Sequence, residues 1–400
     1  MGGLYGFTGE TANPVEWKGM RATLWTAAAL GLCFAVLAGV HGQAPPADLS
    51  PIPRLPGVGP PPLPPAPPRP SIGEVAPEKK PPKVELLSVE RIWDAAPHNA
   101  FTDLIRFRGR WYCTFREGSA HASPDGAVRI ITSGDGRAWM TAFRISVDNA
   151  DLRDPKLSIT GDNRLMLSVA AVYHAPAPPR HQTLAWYSLD GRDWGIAFKI
   201  GDPDMWLWRV VWHRGSAYSM AYSTRLDRYL RMYVGPMGLR FQMVADRVLE
   251  QGKPSEATLV FNRDDSALCL VRRDGNPNTA MLGYSRPPYR GWLWRDLGVR
   301  LGGPDLLRLP DGRLVAAGRL YDPKPRTALL WLDETQATLE EFLTLPSGGD
   351  NSYPGLVFDD GLLWVSYYSS HEGKAAIYLA KVRLPPPEEP EEQQSEKLVF

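Results

Sequence analysis

Apolar and polar positions alternate along the chain in a unit that returns at a spacing of roughly fifty residues. The unit is clearest in GGPDLLRLPDGRLVAAGR, from Gly302 to Arg319. It reads as a strand over Leu306–Leu309, a tight Pro-Asp-Gly turn, and a returning strand over Leu314–Ala317. Asp-Gly between two apolar runs is a strong hairpin signal, because such turns need backbone conformations that Asp and Gly adopt cheaply. The unit recurs as DLIRFRGRWYCTFREG from Asp103, PKLSITGDNRLMLSVAA from Pro155 and RVVWHRGSAYSMAY from Arg209. It returns as TLVFNRDDSALCLVRR from Thr258 and GLVFDDGLLWVSYYS from Gly355. Aligning the turns places Thr102, Asp154, Leu207, Glu256, Pro304 and Tyr353 at one equivalent position. Six copies at this period predict an all-β chain, a six-bladed β-propeller of four-stranded antiparallel blades.

The last copy has only three strands of its own, over Ser352–Phe358, Leu362–Ser369 and Lys374–Leu384. VELLSVERIW, from Val84 to Trp93, is a lone strand without a hairpin partner. Pairing it with the last blade supplies the fourth strand and removes the open edges that invite aggregation. Phe143–Val147, Phe198–Ile200 and Leu293–Val299 read as outer strands of other blades. The propeller therefore spans 84–384.

Residues 1–42 read as an N-terminal extension followed by a signal peptide, with Arg21 ahead of the apolar run Ala22–Val40 and cleavage after Gly42. The run is also long enough for an uncleaved membrane anchor. Either reading makes the protein exported. Residues 43–83 are mostly proline and small residues, a composition that favours an extended, semi-rigid spacer to a membrane or cell wall. The acidic tail 385–400 cannot bury a core and reads as disordered.

A formal net charge of +1 gives no reason to expect nucleic acid as a partner. Three cysteines are too few for a disulfide framework, and Cys113 and Cys269 fall on second strands of different blades, as separate buried thiols. No phosphate loop, dinucleotide fingerprint or metal-ligand spacing is present, so neither cofactor nor metal is expected.

In each blade the first strand begins, and the second ends, at the same face of the ring. Reading that rim gives Asn99 and Arg116, Arg153 and Asp154, and Trp206, Trp208 and Arg209. It continues with Glu256 and Arg272, Asp305 and Arg319, and Tyr353. A purely structural rim needs no such density of charge, so the central depression reads as a polar ligand site. Trp206 and Trp208 face the same way if their strand is regular.

Two turns sharpen the picture. SGDGRAW (Ser133–Trp139) and SLDGRDW (Ser188–Trp194) match S-x-D-G-x-x-W at the same point of successive blades. They resemble the Asp box of the sialidase (neuraminidase) superfamily, a folding element in which the Asp accepts turn N–H groups and the Trp packs into the blade. The resemblance extends to the rim. Glu256 followed by Arg272 is similar to the family's glutamate and second arginine. Arg319 followed by Tyr353 is similar to its third arginine and tyrosine nucleophile. Asp125, in the loop after FREG, resembles its acid/base aspartate. The resemblance thus implies a glycosidase removing a terminal, sialic or other acidic sugar, with Tyr353, Glu256 and Asp125 catalytic. Arg272, Arg319, Arg116, Arg153, Asp154, Trp208 and Asp305 would bind the carbohydrate substrate. HNAFTDL departs from the family, with Asn99 to Phe101 where its first arginine belongs. Arg116, Arg153 and Arg209 are the residues that could take its place. A glycan-binding propeller without chemistry, or a structural propeller, are the readings that compete with a hydrolase.

Overall fold

The computed structural model describes residues 83–174 and 179–387. The predicted leader, nearly all of the proline-rich segment and most of the tail lie outside them. Among the described residues there are strands and no helix.

Strand β1 (Glu85–Trp93) comes first in the chain but belongs to the last sheet. Blade 1 consists of β2 (His98–Phe107), β3 (Arg110–Gly118), β4 (Ala127–Ser133) and β5 (Met140–Ile145). Blade 2 follows as β6 (Ala150–Ile159), β7 (Leu165–Tyr173), β8 (His181–Ser188) and β9 (Phe198–Ile200). Blade 3 holds β10 (Met205–His213), β11 (Ser216–Ser223), β12 (Leu230–Pro236) and β13 (Gln242–Leu249). Blade 4 holds β14 (Pro254–Phe261), β15 (Ala267–Arg273), β16 (Met281–Ser285) and β17 (Leu293–Asp296). Blade 5 is β18 (Leu301–Arg308), β19 (Leu314–Leu320), β20 (Arg326–Asp333) and β21 (Thr338–Thr344). Blade 6 is β22 (Asn351–Asp359), β23 (Leu362–Ser369) and β24 (Ala376–Arg383), with β1 as its outer strand. Each innermost strand touches the next, and β22 touches β2, so six four-stranded blades form a ring.

Both faces of the inner strands are covered by neighbouring blades, so these strands are buried along most of their length, Thr102, Asp103 and Lys156 included. Val128 and Ile130 of blade 1 pack with Leu152 and Leu167 of blade 2. Met166 and Ala185 of blade 2 pack with Leu207 and Ala217 of blade 3. Each such leucine or isoleucine contributes about 2 kcal/mol relative to exposure. Cys113 and Cys269 are free and fully buried, as their strand positions predict.

The β1–β24 ladder runs antiparallel from Glu85 opposite Arg383 to Trp93 opposite Ile377. Trp93 also reaches blade 1, its Nε1 donating to Glu117 Oε1 at 2.8 Å beneath the Arg129 guanidinium. A chain beginning at residue 83 should therefore melt like the full chain. One beginning at residue 95 should melt at a sharply lower temperature, because β24 becomes an open edge. Equal melting temperatures in scanning calorimetry would refute ring closure by β1.

The two S-x-D-G-x-x-W turns share one hydrogen-bond pattern. Asp135 Oδ1 accepts from Arg137 N at 2.9 Å and Ala138 N at 3.1 Å. Asp190 Oδ1 accepts from Arg192 N at 2.8 Å and Asp193 N at 3.0 Å. Gly191 has φ +78°, and a Cβ there would lie 2.4 Å from the Tyr112 ring, so only glycine fits. Trp194 is buried against Phe143 in the blade 1–2 core. Trp194→Ala should cost about 3 kcal/mol in urea unfolding, with glycan affinity of the folded fraction unchanged. Loss of affinity at full stability would place this turn at the ligand instead.

Candidate active site

Every blade carries a β-bulge in its first strand, at the level of the rim. The registers shift between Ala100 and Asp103, Arg153 and Lys156, and Leu207 and Val210. They shift likewise between Pro254 and Ala257, Gly302 and Asp305, and Ser352 and Gly355. Two residues on the first strand then oppose one on the second, which re-aims side chains at the rim. This corrects the turn-based alignment, which misses by one residue in some blades. The equivalent bulge residues are Phe101, Asp154, Trp208, Ser255, Gly303 and Tyr353, each followed by its partner in the bulge. Phe101, Asp154, Gly303 and Tyr353 have φ between 48° and 60°, the left-handed conformation. Pro155, Pro304 and Pro354 follow three of them, where the missing N–H costs no ladder bond.

These bulges bring Glu256 and Tyr353 together across the ring. The Tyr353 hydroxyl donates to Glu256 Oε1 at 2.6 Å. Arg272 Nη1 donates to both Glu256 oxygens at 2.9 Å and to the Tyr353 oxygen at 3.0 Å. Gly303 N–H donates to Glu256 Oε2 at 2.7 Å. That approach requires glycine, because a Cβ on Gly303 would lie 2.7 Å from the Tyr353 ring. Burial, and then the Glu256 charge, push the Tyr353 phenol well above its usual range. It is therefore protonated at neutral pH and becomes a nucleophile only by handing its proton to a base. Glu256 is the base in contact with it.

Aromatic rings hold the phenol. Phe101 meets Tyr353 edge-on at 5.1 Å and Trp208 at 5.6 Å, while the Arg319 guanidinium lies 5.5 Å over its ring. Trp208, predicted to contact substrate, is fully buried and supports Tyr353 from behind. Trp206 and Trp208 belong to one core cluster, and Trp206 stacks on Tyr222 with ring centroids 5.7 Å apart.

Arg319 is largely committed to the wall of the cup. Its Nε donates to the Asn351 carbonyl at 2.9 Å, and its Nη2 to Asp350 Oδ1 at 3.2 Å and the Tyr368 oxygen at 3.0 Å. Arg272 Nε likewise donates to Asp274 at 2.7 Å. Arg272 Nη2 and Arg319 Nη1 make no hydrogen bond among the described residues.

Asp154 lines the same cup. Burial, and then the charge of Glu256, push its carboxyl up to about 7, and its Oδ1 has no hydrogen-bond partner. Asp125 is differently placed. Its carboxylate is exposed and accepts from Ser119 N at 3.1 Å, within its own loop. Hydrogen bonds from Ser123 and Ser119 hold it at about 2. These bonds tie the carboxylate to its own loop, away from the Glu256–Tyr353 hydrogen bond.

Other rim predictions are corrected by burial. Arg116 is fully buried, with Nε on Asp151 Oδ1 at 2.8 Å and its amino groups on Ala120 and Ser123, so it braces the 119–126 loop. Arg153 Nε is held by Asp151 Oδ2 at 2.6 Å. Asp305 lies below the cup in an axial ion cluster. There Arg209 sits 2.9 Å from Asp103 and 3.2 Å from Asp305, beside Lys156, whose ammonium donates to the Thr102 carbonyl at 2.8 Å. Asn99 bonds the carbonyls of Ala96 and Ala375. Of the three arginines that could replace the missing one, Arg116 and Arg209 are consumed by buried ion pairs, and Arg153 is anchored by Asp151.

Several cup residues escaped the sequence reading: Asp350, Tyr368, Tyr222 and Gly303. Tyr222 and Tyr368 lie near the ends of second strands, so the rim rule, applied in every blade, would have found them. Asp350 also accepts from His98 Nε2 at 2.9 Å and His121 Nδ1 at 2.7 Å. These three donor atoms lie within 4.8 Å of one another, close enough for one metal ion, although both imidazoles are already bonded to the carboxylate. Against the upward push of burial, the bonds from His121, His98 and Tyr368 hold Asp350 well below the usual carboxylate range.

No family model and no curated protein matches the chain. Solved structures do. A protein of unknown function from Dyadobacter fermentans aligns with TM-score 0.69 at 18% identity, over 76% of this chain and 100% of that one. Trypanosoma rangeli sialidase in complex with sialic acid aligns with TM-score 0.57 at 12% identity, over 76% of this chain and 59% of the sialidase. The GH93 α-L-arabinofuranosidase of Fusarium graminearum with arabinobiose gives TM-score 0.59 at 14% identity, over 74% and 98%. The likeness is one of fold. It agrees with the six-bladed propeller expected from the repeats, and the structural neighbours include glycoside hydrolases of two substrate types.

Proposed function

We propose that the chain is a retaining exo-glycosidase in which Tyr353 is the nucleophile, Glu256 its base and Asp154 the acid/base. The observation that carries this reading is the 2.6 Å Tyr353–Glu256 hydrogen bond, clamped by Arg272. As the Tyr353 oxygen attacks the anomeric carbon, its proton passes to Glu256. The glycosidic C–O bond breaks, and Asp154 gives its proton to the departing oxygen. Water then attacks the same carbon while Asp154 takes a proton from it, and Tyr353 leaves with the proton returned by Glu256. This replaces Asp125 as the acid, because a donor must be protonated at the working pH.

A neutral phenol suits a sugar with a carboxylate on its anomeric carbon, which repels an anionic nucleophile. We therefore read the substrate as a terminal acidic sugar of the sialic type. The unpaired Arg272 Nη2 and Arg319 Nη1 would receive its carboxylate, with Phe101 against the ring. The leader expected from the sequence would export the enzyme toward glycoconjugates outside the cytoplasm. A fluorogenic panel of sialosides, uronosides and arabinofuranosides tests the reading. Sialoside turnover abolished by Glu256→Gln supports it, and no turnover of any glycoside by folded protein leaves a binding propeller.

A further inference from the structure

A cavity of 870 Å³ opens beside the cup over blades 2, 3 and 4. Arg180 and His181 line it from blade 2, Asp204, Arg225 and Arg228 from blade 3, and Lys253 from the entry to blade 4. The cavity shares a wall with the catalytic cup. Asp274 lines it and accepts from Arg272, the residue that clamps Glu256 and Tyr353. Arg228 lies 5.6 Å over the ring of Tyr222, whose phenol feels the charges of both Asp154 and Glu256.

The lining is cationic beyond what the protein neutralises. Asp204 faces Arg225 at 3.4 Å, and Asp274 is taken by Arg272 at 2.7 Å. Arg180, Arg228 and Lys253 form no ion pair among the described residues. The chain as a whole carries 45 basic and 44 acidic residues, so this local excess does not follow from composition. Unpaired like charges around one concavity raise the potential there and attract an anion.

Direction bears on which part of the substrate reaches the cavity. Tyr353 approaches from blade 6, and in a ring of six the blade opposite is blade 3. In a retaining displacement the leaving group departs on the face away from the nucleophile. With the nucleophile on blade 6 and the proposed acid Asp154 on blade 2, a leaving portion that departs away from Tyr353 would pass toward blades 2 and 3, where the basic cavity lies.

We infer that this cavity is a second carbohydrate subsite, which takes the anionic part of an acidic glycan beyond the scissile bond on Arg180, Arg228 and Lys253. The inference rests on the glycosidase reading for its polarity, and names an acidic oligosaccharide as the substrate class.

The test uses the full chain carrying Tyr353→Phe, so that bound glycan survives, titrated calorimetrically with an oligogalacturonate hexamer and a neutral galactan hexamer. The acidic probe should bind more tightly and weaken with added salt. Adding Arg228→Glu and Lys253→Glu should weaken it by at least about tenfold, and change the neutral probe far less. The milder Arg228→Gln and Lys253→Gln pair should fall between, and serves if charge reversal impairs folding. Equal affinity for the two probes, or an acidic affinity that the substitutions do not move, overturns the subsite. Charge-dependent binding in a wild-type protein that hydrolyses nothing would keep the subsite and overturn the glycosidase reading.

Discussion

Tyr353→Phe should lower glycoside turnover at least about a hundredfold, the range expected for losing an activated nucleophile, while the protein stays folded. The substitution keeps the ring between Phe101, Trp208 and Arg319 and removes only the hydroxyl. Glu256 then still accepts from Arg272 and from Gly303 N–H, so it is not left as an unpaired buried charge. The stability lost should be about 1 kcal/mol, that of one net hydrogen bond. The left-handed φ of 51° at Tyr353 is set by the bulge and persists in the variant, because phenylalanine meets the same backbone demand. Single-turnover kinetics on the best substrate of the glycoside panel, beside urea unfolding of both proteins, separate chemistry from folding. Turnover within a few-fold of wild type would remove Tyr353 from the mechanism.

The ring was legible because its signals are local. Each inner hairpin joins two apolar strands through a turn marked by residues such as Asp-Gly, Arg-Gly or Asp-Asn, and neither strand can be half-exposed. The lone strand at Glu85–Trp93 was assignable because a six-fold count left one place open. Outer strands were harder. Gln242–Leu249 and Thr338–Thr344 are half-exposed and carry Asp246, Arg247, Glu340 and Glu341. Their sequences lack the apolar run that marks a strand buried on both faces, and they were not singled out.

The site was legible only in part, for a geometric reason. Alternation along a regular strand predicts which side chains share a face, but all six bulges break that alternation at the rim. Rim position alone assigns Trp208 and Asp305 to the ligand, whereas burial sets Trp208 against Tyr353 and Asp305 in the axial ion cluster. Arg116 and Arg153 sit at rim positions, and nothing local reveals that Asp151 holds both. Glu256, Arg272 and Tyr353 are legible because the repeat puts them on the rim and their order along the chain resembles that of the sialidases.

Asp154→Asn should abolish the basic limb of the rate profile and cut turnover of poor leaving groups by about 10²–10⁴, the usual worth of a general acid. In the wild-type protein the acid must carry its proton when the glycosidic bond breaks. With the carboxyl pushed up to about 7 by burial and by Glu256, the first step should slow as pH rises through about 7. A glycoside with a dinitrophenolate leaving group needs no such proton, so its bond cleavage should be nearly insensitive to the substitution. Stability gives a second readout with a definite sign. The folded carboxyl holds its proton to higher pH than the unfolded one, which ionises near 4. Between those values the folded state binds more protons, so stability falls as pH rises from about 4 to about 7. Asparagine should flatten that slope. Asp125→Asn is the control, because an exposed carboxylate already ionised from about pH 2 upward contributes to neither readout in this window. If Asp125→Asn instead removes the basic limb and Asp154→Asn leaves it intact, the acid lies on the 119–126 loop, and the buried carboxyl of blade 2 only orients the sugar.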